Sequence, residues 1–181
     1  MYDLKKSNGP LAEVNSHDID TLRWFTGSEF KTVYALGSNY RCQEAREAFP
    51  DFYDNVCLCA SFESGMQGFI GGAQGVKYGY DARVEVLGTE GILFIGRLNE
   101  TSVVSCTRNG IVTPVVKSWV DLFLGAYRAE DEDFVRCILE DRLPSVTGLD
   151  GLRAVEVVNA GNESIRTGEV VRLCPATKEE R

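Results

Sequence analysis

Four residues near the start of the chain have the types and spacing that proton transfer requires: Glu13, His17, Asp20 and Trp24. If the stretch is helical, spacings of four, three and four residues place them on one face. An imidazole one turn from each of two carboxylates can be held in one tautomer and made more basic, as a general base must be. Two other readings fit the same pattern. One is an exposed helix with ordinary i,i+4 pairs; the other is a metal site of two carboxylates and one imidazole. His17 is the one histidine among 181 residues, which excludes a three-histidine centre and a Cys2His2 finger.

The element that must carry these residues is a helix predicted from Leu11 to Phe25, with Pro10 in its first turn and Gly27 as its stop signal. Leu11, Val14, Leu22 and Phe25 form its apolar stripe. From Lys31 to Pro114 the texture becomes that of strands. Val56, Leu58, Ala60 and Phe62 alternate with Cys57, Cys59, Ser61 and Glu63, a period of two. Further strands are expected at Lys31–Leu36, Gln67–Gly72, Ala82–Leu87, Ile92–Ile95, Val103–Thr107 and Ile111–Val115, with Asn109-Gly110 marking a tight hairpin.

Helix returns from Ser118 to Glu140, with a bend expected near Ala129 and a stop before Pro144. Thr147-x-x-Asp150 resembles a capping box opening a helix that carries Leu152, Val155, Val158 and Ile165 toward Gly168. Val170–Cys174 reads as a last strand, and the polar tail ATKEER is expected to fray. The fold class is therefore α+β: an open, mostly antiparallel β-sheet with helices on one face. No repeat or linker interrupts the chain, and its length suits a single domain of residues 1–181.

Composition removes several function classes. A net charge of −8 and a pI near 4.8 have the wrong sign for a nucleic-acid partner. No apolar run approaches the roughly 20 residues of a membrane span, and the opening MYDLKKSNGP lacks the apolar core of a signal peptide. Six cysteines without a Cys-x-x-Cys pair fit free thiols and a cytoplasmic location, with Cys57 and Cys59 as small apolar residues on one strand face. Gly71, Gly72 and Gly75 do not form a phosphate cradle, since the G-x-G-x-x-G spacing occurs nowhere. Tyr78 and Tyr80 can be read as sheet packing, Trp24 and Trp119 as core or interface anchors, and Glu130–Asp133 as a solvated helix beginning.

Three collinear segments carry a resemblance. GPLAEVNSHDIDTLRWFTGSE resembles the segment that follows the nucleotide-binding domain in the Gfo/Idh/MocA family of NAD(P)-dependent dehydrogenases. KYGYDARVEVLGTEGIL is similar to a strand, turn and strand of its inositol 2-dehydrogenase branch. SWVDLFLGAYRAEDEDFVRCI and LPSVTGLDGLRAVEVVNAGNESIRTGEVVRL resemble the closing helices and strand. The resemblance implies a sheet domain like the C-terminal domain of glyceraldehyde-3-phosphate dehydrogenase. It also implies oxidation of a secondary hydroxyl of a cyclic polyol or sugar by hydride transfer.

Residue by residue, His17 matches the family's catalytic histidine, and Glu13 stands where that branch usually has an orienting aspartate. Asp20 matches a carboxylate that binds polyol hydroxyls, and Tyr78 or Tyr80, with Tyr78 preferred, an aromatic reaching the substrate pocket. Asn8 replaces the first glycine of a Gly-Gly pair, a position where Asn tolerates a left-handed backbone. The family's Rossmann domain, with its glycine fingerprint and Lys-Pro pair, has no counterpart here. The expectation is thus a C-terminal substrate-binding and oligomerisation domain, inactive alone, with NAD or NADP needed in the full-length protein and none bound to this piece. A homo-oligomer, dimer or tetramer, would form through the sheet face. The alternative is a noncatalytic sheet domain for self-association or partner docking.

Overall fold

The computed structural model describes residues 2–174; the tail ATKEER lies outside them. The chain divides into two compact units, one comprising Met1–Gly75 with Ser145–Arg181 and the other Val76–Pro144. The first is built on a four-stranded antiparallel sheet in the order β3-β2-β1-β8. Its strands are β1 (Phe30–Ser38), β2 (Asn55–Phe62), β3 (Gln67–Ala73) and β8 (Val171–Arg172). The alternation expected in β2 is observed: Val56, Leu58, Ala60 and Phe62 are buried, whereas Cys57 and Cys59 are exposed on the opposite face.

Three helices cover the inner face: α2 (Gly9–Glu13), α3 (Ser16–Thr26) and α5 (Gly148–Thr167). Leu11, Ile19, Val33, Leu58, Ile70, Val157 and Val158 share one core with Phe30 and Phe62, whose rings stand 4.5 Å apart. Gly161 lets α5 approach closely, since a Cβ there would meet the side chains of Leu11 and Leu58. Ser164, fully buried on α5, accepts the Ala35 N–H of β1 at 2.9 Å and donates to the Glu169 carbonyl at 2.7 Å. These bonds satisfy polar groups that burial would otherwise penalise.

The single helix expected from Leu11 to Phe25 is in fact two, preceded by a short α1 (Leu4–Ser7) that apolar periodicity did not signal. The Asn15 N–H reaches back five residues to the Pro10 carbonyl at 3.2 Å, and a new ladder starts with Ile19 N–H to the Asn15 carbonyl at 2.9 Å. Such i→i−5 steps redirect a helix. Asn8, between α1 and α2, adopts the left-handed conformation at φ 56°. Its carboxamide donates to Asn159 of α5 at 2.8 Å, while Asn162 donates to its carbonyl at 2.9 Å.

In α5 the capping box of Thr147 and Asp150 forms as expected and Gly168 closes the helix. Of the four apolar residues expected on it, Val158 is buried and Ile165 packs against the core. Ala154, Val157, Val158, Gly161 and Ser164 face the sheet, while Leu152 and Val155 point outward. Small residues win the inward face because they allow the closest approach to β1.

The second unit holds two antiparallel hairpins and a long helix. The hairpins are β4 (Val84–Leu87) with β5 (Ile92–Ile95), and β6 (Ser105–Thr107) with β7 (Gly110–Val112). The second turns at Arg108-Asn109, with Thr107 opposite Gly110. Helix α4 (Trp119–Glu140) runs unbroken through Ala129, capped at Ser118 and Asp121. Glu130–Asp133 therefore lie in its interior rather than at its beginning. Trp119 is half-exposed and stacks edge-on against Tyr127 at 5.4 Å, outside any core of the described residues.

Candidate active site

The break between α2 and α3 decides the site's geometry. Glu13 ends α2, is exposed, and accepts a hydrogen bond from the Gln74 carboxamide at 3.2 Å. His17 lies in the first turn of α3, exposed, and its ring makes no hydrogen bond to a described residue. Glu13 and His17 thus belong to separate helical segments rather than one continuous face, and Glu13 is engaged by β3's neighbour Gln74 instead of the imidazole. Asp20 follows His17 on the same helix. Trp24, one turn further, is 77% exposed and stacks on Phe25 at 5.1 Å, so it is not a core anchor.

Two side chains at the joint escaped sequence reasoning. Asn15 is 2% exposed, and its carboxamide lies against the backbone of Gly72, where any Cβ would collide with it. It donates to Asp18 at 2.8 Å. Desolvation pushes the Asp18 carboxyl above the usual carboxylate range, although the Asn15 bond and the nearby charge of His17 pull the other way. Asn15 and Asp18 thereby clamp the first turn of α3, the turn that carries His17.

A third missed residue is Arg23. Its side chain is 12% exposed and forms a fork with Glu29 at 2.9 and 2.6 Å, a bond to Asp150 at 3.1 Å, and a looser ion pair with Asp20 at 3.5 Å. The Glu29 bonds, and then Asp150, hold the guanidinium firmly protonated. An i,i+3 acid–base spacing was visible in the sequence for Asp20 and Arg23, but Glu29 and Asp150 reach Arg23 only through the fold.

Tyr78 and Tyr80 belong to the second unit, in the stretch before β4. Tyr78 is exposed, whereas Tyr80 is half-buried, edge-on to Phe123 of α4 at 6.3 Å, with its N–H bonded to the Val116 carbonyl at 2.7 Å. Neither occupies a regular strand. Next to them Asp81 forms a fork with Arg83, both bonds 2.7 Å, which holds the Asp81 carboxyl below the usual range. Among the described residues no group of three or more His, Cys, Asp or Glu side chains could hold a metal ion, so the metal reading lacks the convergence it required.

The site thus presents an exposed imidazole with no hydrogen-bond partner among the described residues, followed by a carboxylate on the same helix. Residues 2–173 match the model of the Gfo/Idh/MocA C-terminal domain, described as "Oxidoreductase family, C-terminal alpha/beta domain". The chain belongs to this oxidoreductase family. It is 31% identical over 170 residues to scyllo-inositol 2-dehydrogenase (NAD(+)) of Bacillus subtilis, covering 94% of this chain and 49% of that protein. It is 28% identical to myo-inositol 2-dehydrogenase of Thermotoga maritima, covering 94% of this chain and 51% of that one.

Solved structures agree on the fold. The myo-inositol 2-dehydrogenase of Lactobacillus plantarum superposes with a TM-score of 0.86 at 28% identity, covering 93% of this chain and 50% of that one. A scyllo-inositol dehydrogenase of Lactobacillus casei, solved with NAD(H) and scyllo-inositol, gives 0.85 at 26%, covering 92% and 49%. This Gfo/Idh/MocA domain therefore spans about half the length of the relatives it matches.

Proposed function

We propose that this domain supplies the substrate-binding and proton-transfer half of an NAD(P)-dependent dehydrogenase that oxidises a secondary hydroxyl of an inositol-like cyclic polyol. The observation that carries the reading is the exposed His17 imidazole at the start of α3, which has no hydrogen bond to a described residue, with Asp20 after it. His17 takes the hydroxyl proton on a neutral ring nitrogen. Asp20 accepts hydrogen bonds from polyol hydroxyls. Glu13 orients His17 by exchanging its Gln74 bond for one to the imidazole, a long 3.2 Å contact that costs little to give up. The sequence contains no dinucleotide fingerprint, so binding of the nicotinamide falls to another part of the protein. When bound, NAD or NADP supplies the hydride acceptor.

Joining this domain to a nucleotide-binding half should yield NAD(P) reduction with an inositol or related polyol. No reduction with any inositol or hexose would overturn the reading. His17→Ala in that enzyme should lower turnover by orders of magnitude, and a change below about tenfold removes His17 from the mechanism.

A second reading concerns the outer face of the four-stranded sheet. Tyr34, Leu36, Cys57, Cys59 and Phe69 are exposed there, an apolar patch suited to packing against a second copy. Sedimentation should find a dimer or tetramer; a strict monomer at micromolar concentration defeats this reading. No helix among the described residues is long and apolar enough to cross a membrane. We place the protein in the cytoplasm, the compartment that suits its six free thiols.

A further inference from the structure

Three carboxylates converge on Arg23, and they are not equivalent. Glu29, just before β1, takes two N–H bonds at 2.9 and 2.6 Å. Asp150, in the first turn of α5, takes one at 3.1 Å and is itself fixed by the Thr147 N–H at 2.7 Å and hydroxyl at 2.9 Å. Asp20 is held most loosely, at 3.5 Å, and is the most exposed of the three at 46% against 32% and 29% for Glu29 and Asp150. The guanidinium is thus oriented from two sides before Asp20 meets it. The shortest Asp20–Arg23 contact runs from Oδ1, and no hydrogen bond from Arg23 to Asp20 accompanies it.

We infer that Arg23 is a positioning residue that presents Asp20 as an acceptor-only carboxylate to an uncharged, polyhydroxylated ligand. The inference rests on the functional reading above, in which Asp20 binds hydroxyls. The guanidinium 3.5 Å away holds Asp20 from one side, and a carboxylate can only accept hydrogen bonds. The long contact leaves the carboxylate free to turn its second oxygen to a hydroxyl without breaking a strong bond. Three carboxylates against one guanidinium leave an excess of negative charge, which repels carboxylated or phosphorylated sugars and admits neutral polyols.

The test is a double-mutant cycle in the dehydrogenase joined to its nucleotide-binding half, with myo-inositol as the varied substrate. Asp20→Asn should raise KM about tenfold, Arg23→Met by a similar factor with kcat changed less than about threefold, and the double variant no more than either alone. Arg23→Lys, which keeps charge but loses the fork, should recover only part of the KM. Because Arg23→Met strands two anchored carboxylates and can fail to fold, Glu29→Gln is the companion variant. It keeps the cation, frees the fork to close on Asp20, and should raise KM about threefold while thermal melts show a folded protein. Normal KM in Arg23→Met and Glu29→Gln alongside a raised KM in Asp20→Asn overturns this proposal alone. Normal KM in Asp20→Asn overturns both it and the role given to Asp20.

Discussion

The two compact units invest their apolar residues very differently. In the first, both helices and strands point Leu, Ile, Val and Phe inward, and one continuous core results. In the second, Val116 and Cys137 are the only buried hydrophobic residues among those described, while Leu87, Phe94, Ile111, Leu124 and Leu139 are all more than two-thirds exposed. Both units have the same backbone ingredients, short antiparallel strands and a helix of 20 or more residues. The contrast teaches that regular hydrogen bonding alone does not make a core. A two-stranded hairpin leaves one face unpaired with anything unless a helix or another sheet covers it. The first unit is therefore the rigid frame for His17, Asp20 and Arg23, and the second is a surface rich in unspent apolar area.

The sharpest way to break this comparison is to remove comparable side chains from each unit. Leu58→Ala deletes a fully buried side chain beside Leu11 and Gly161 and should cost about 3 kcal/mol by chemical denaturation. Phe94→Ala, at a position 74% exposed, should change stability by less than about 0.5 kcal/mol. Equal losses at the two positions would mean that the second unit buries its hairpins in solution.

A smaller effect probes how the first unit holds its loops. Asp54 is 1% exposed and accepts the backbone N–H groups of Tyr40, Arg41 and Cys42 at 3.1, 2.7 and 3.1 Å. Burial alone would push its carboxyl up, but these three donors outweigh it and hold the group below the usual range. Asp54→Ala should cost about 2 kcal/mol, since it leaves buried donors without an acceptor. A lowered folded-state value means stability that is present above the unfolded-state value of about 4 and is lost as pH falls through the folded one. The gap in melting temperature between the wild type and Asp54→Asn should accordingly narrow below about pH 4. A gap constant from pH 7 to pH 3 would show that Asp54 acts only as a neutral acceptor.

How far these features could be read in the sequence depends on whether their causes are local. The caps at Thr147 and Gly168, the Asn109 turn and the alternation of Val56 to Phe62 each follow from a few adjacent residues, and all are found. The break at Asn15 is not local in the same way. Apolar spacing runs straight through it, and only the absence of a Cβ on Gly72, far along the chain, makes room for the carboxamide. The inward side of α5 is not set locally either. It has apolar residues on both sides, and which side turns inward is set by how closely Gly161 and its small neighbours can approach β1. His17 and Asp20 stand out in the sequence as candidates by residue type and by the family resemblance, whereas the contact of Arg23 with Asp150, 127 positions away, exists only in the fold.

Gly72→Ala should sharpen the comparison further, because it perturbs the site's frame without touching a core side chain. The added methyl collides with Asn15, so the joint between α2 and α3 must shift, at a cost on the order of 1–2 kcal/mol. As His17 is the only histidine, its ring signals in a proton–nitrogen correlation spectrum report that shift without ambiguity. Unmoved signals would show that Asn15 does not set the position of α3.

The smallest expected effect carries the opposite sign to that at Asp54. Asp18 is also part of the frame, yet desolvation raises its carboxyl, against the pull of Asn15 and His17. A raised value means that its contribution is complete below the unfolded-state value of about 4 and is lost as pH rises through the folded one. At pH 7 the ionised Asp18 therefore costs stability, and Asp18→Asn, which can still accept from Asn15, should gain less than about 1 kcal/mol there. The gain should disappear near pH 3, where the wild-type group is already neutral. A frame tuned only for stability would have placed an amide at position 18. A stabilised variant at pH 7 would thus mark Asp18 as a charge kept beside His17 at the expense of the fold, while a destabilised one would show that the ionised carboxylate is needed to hold Asn15.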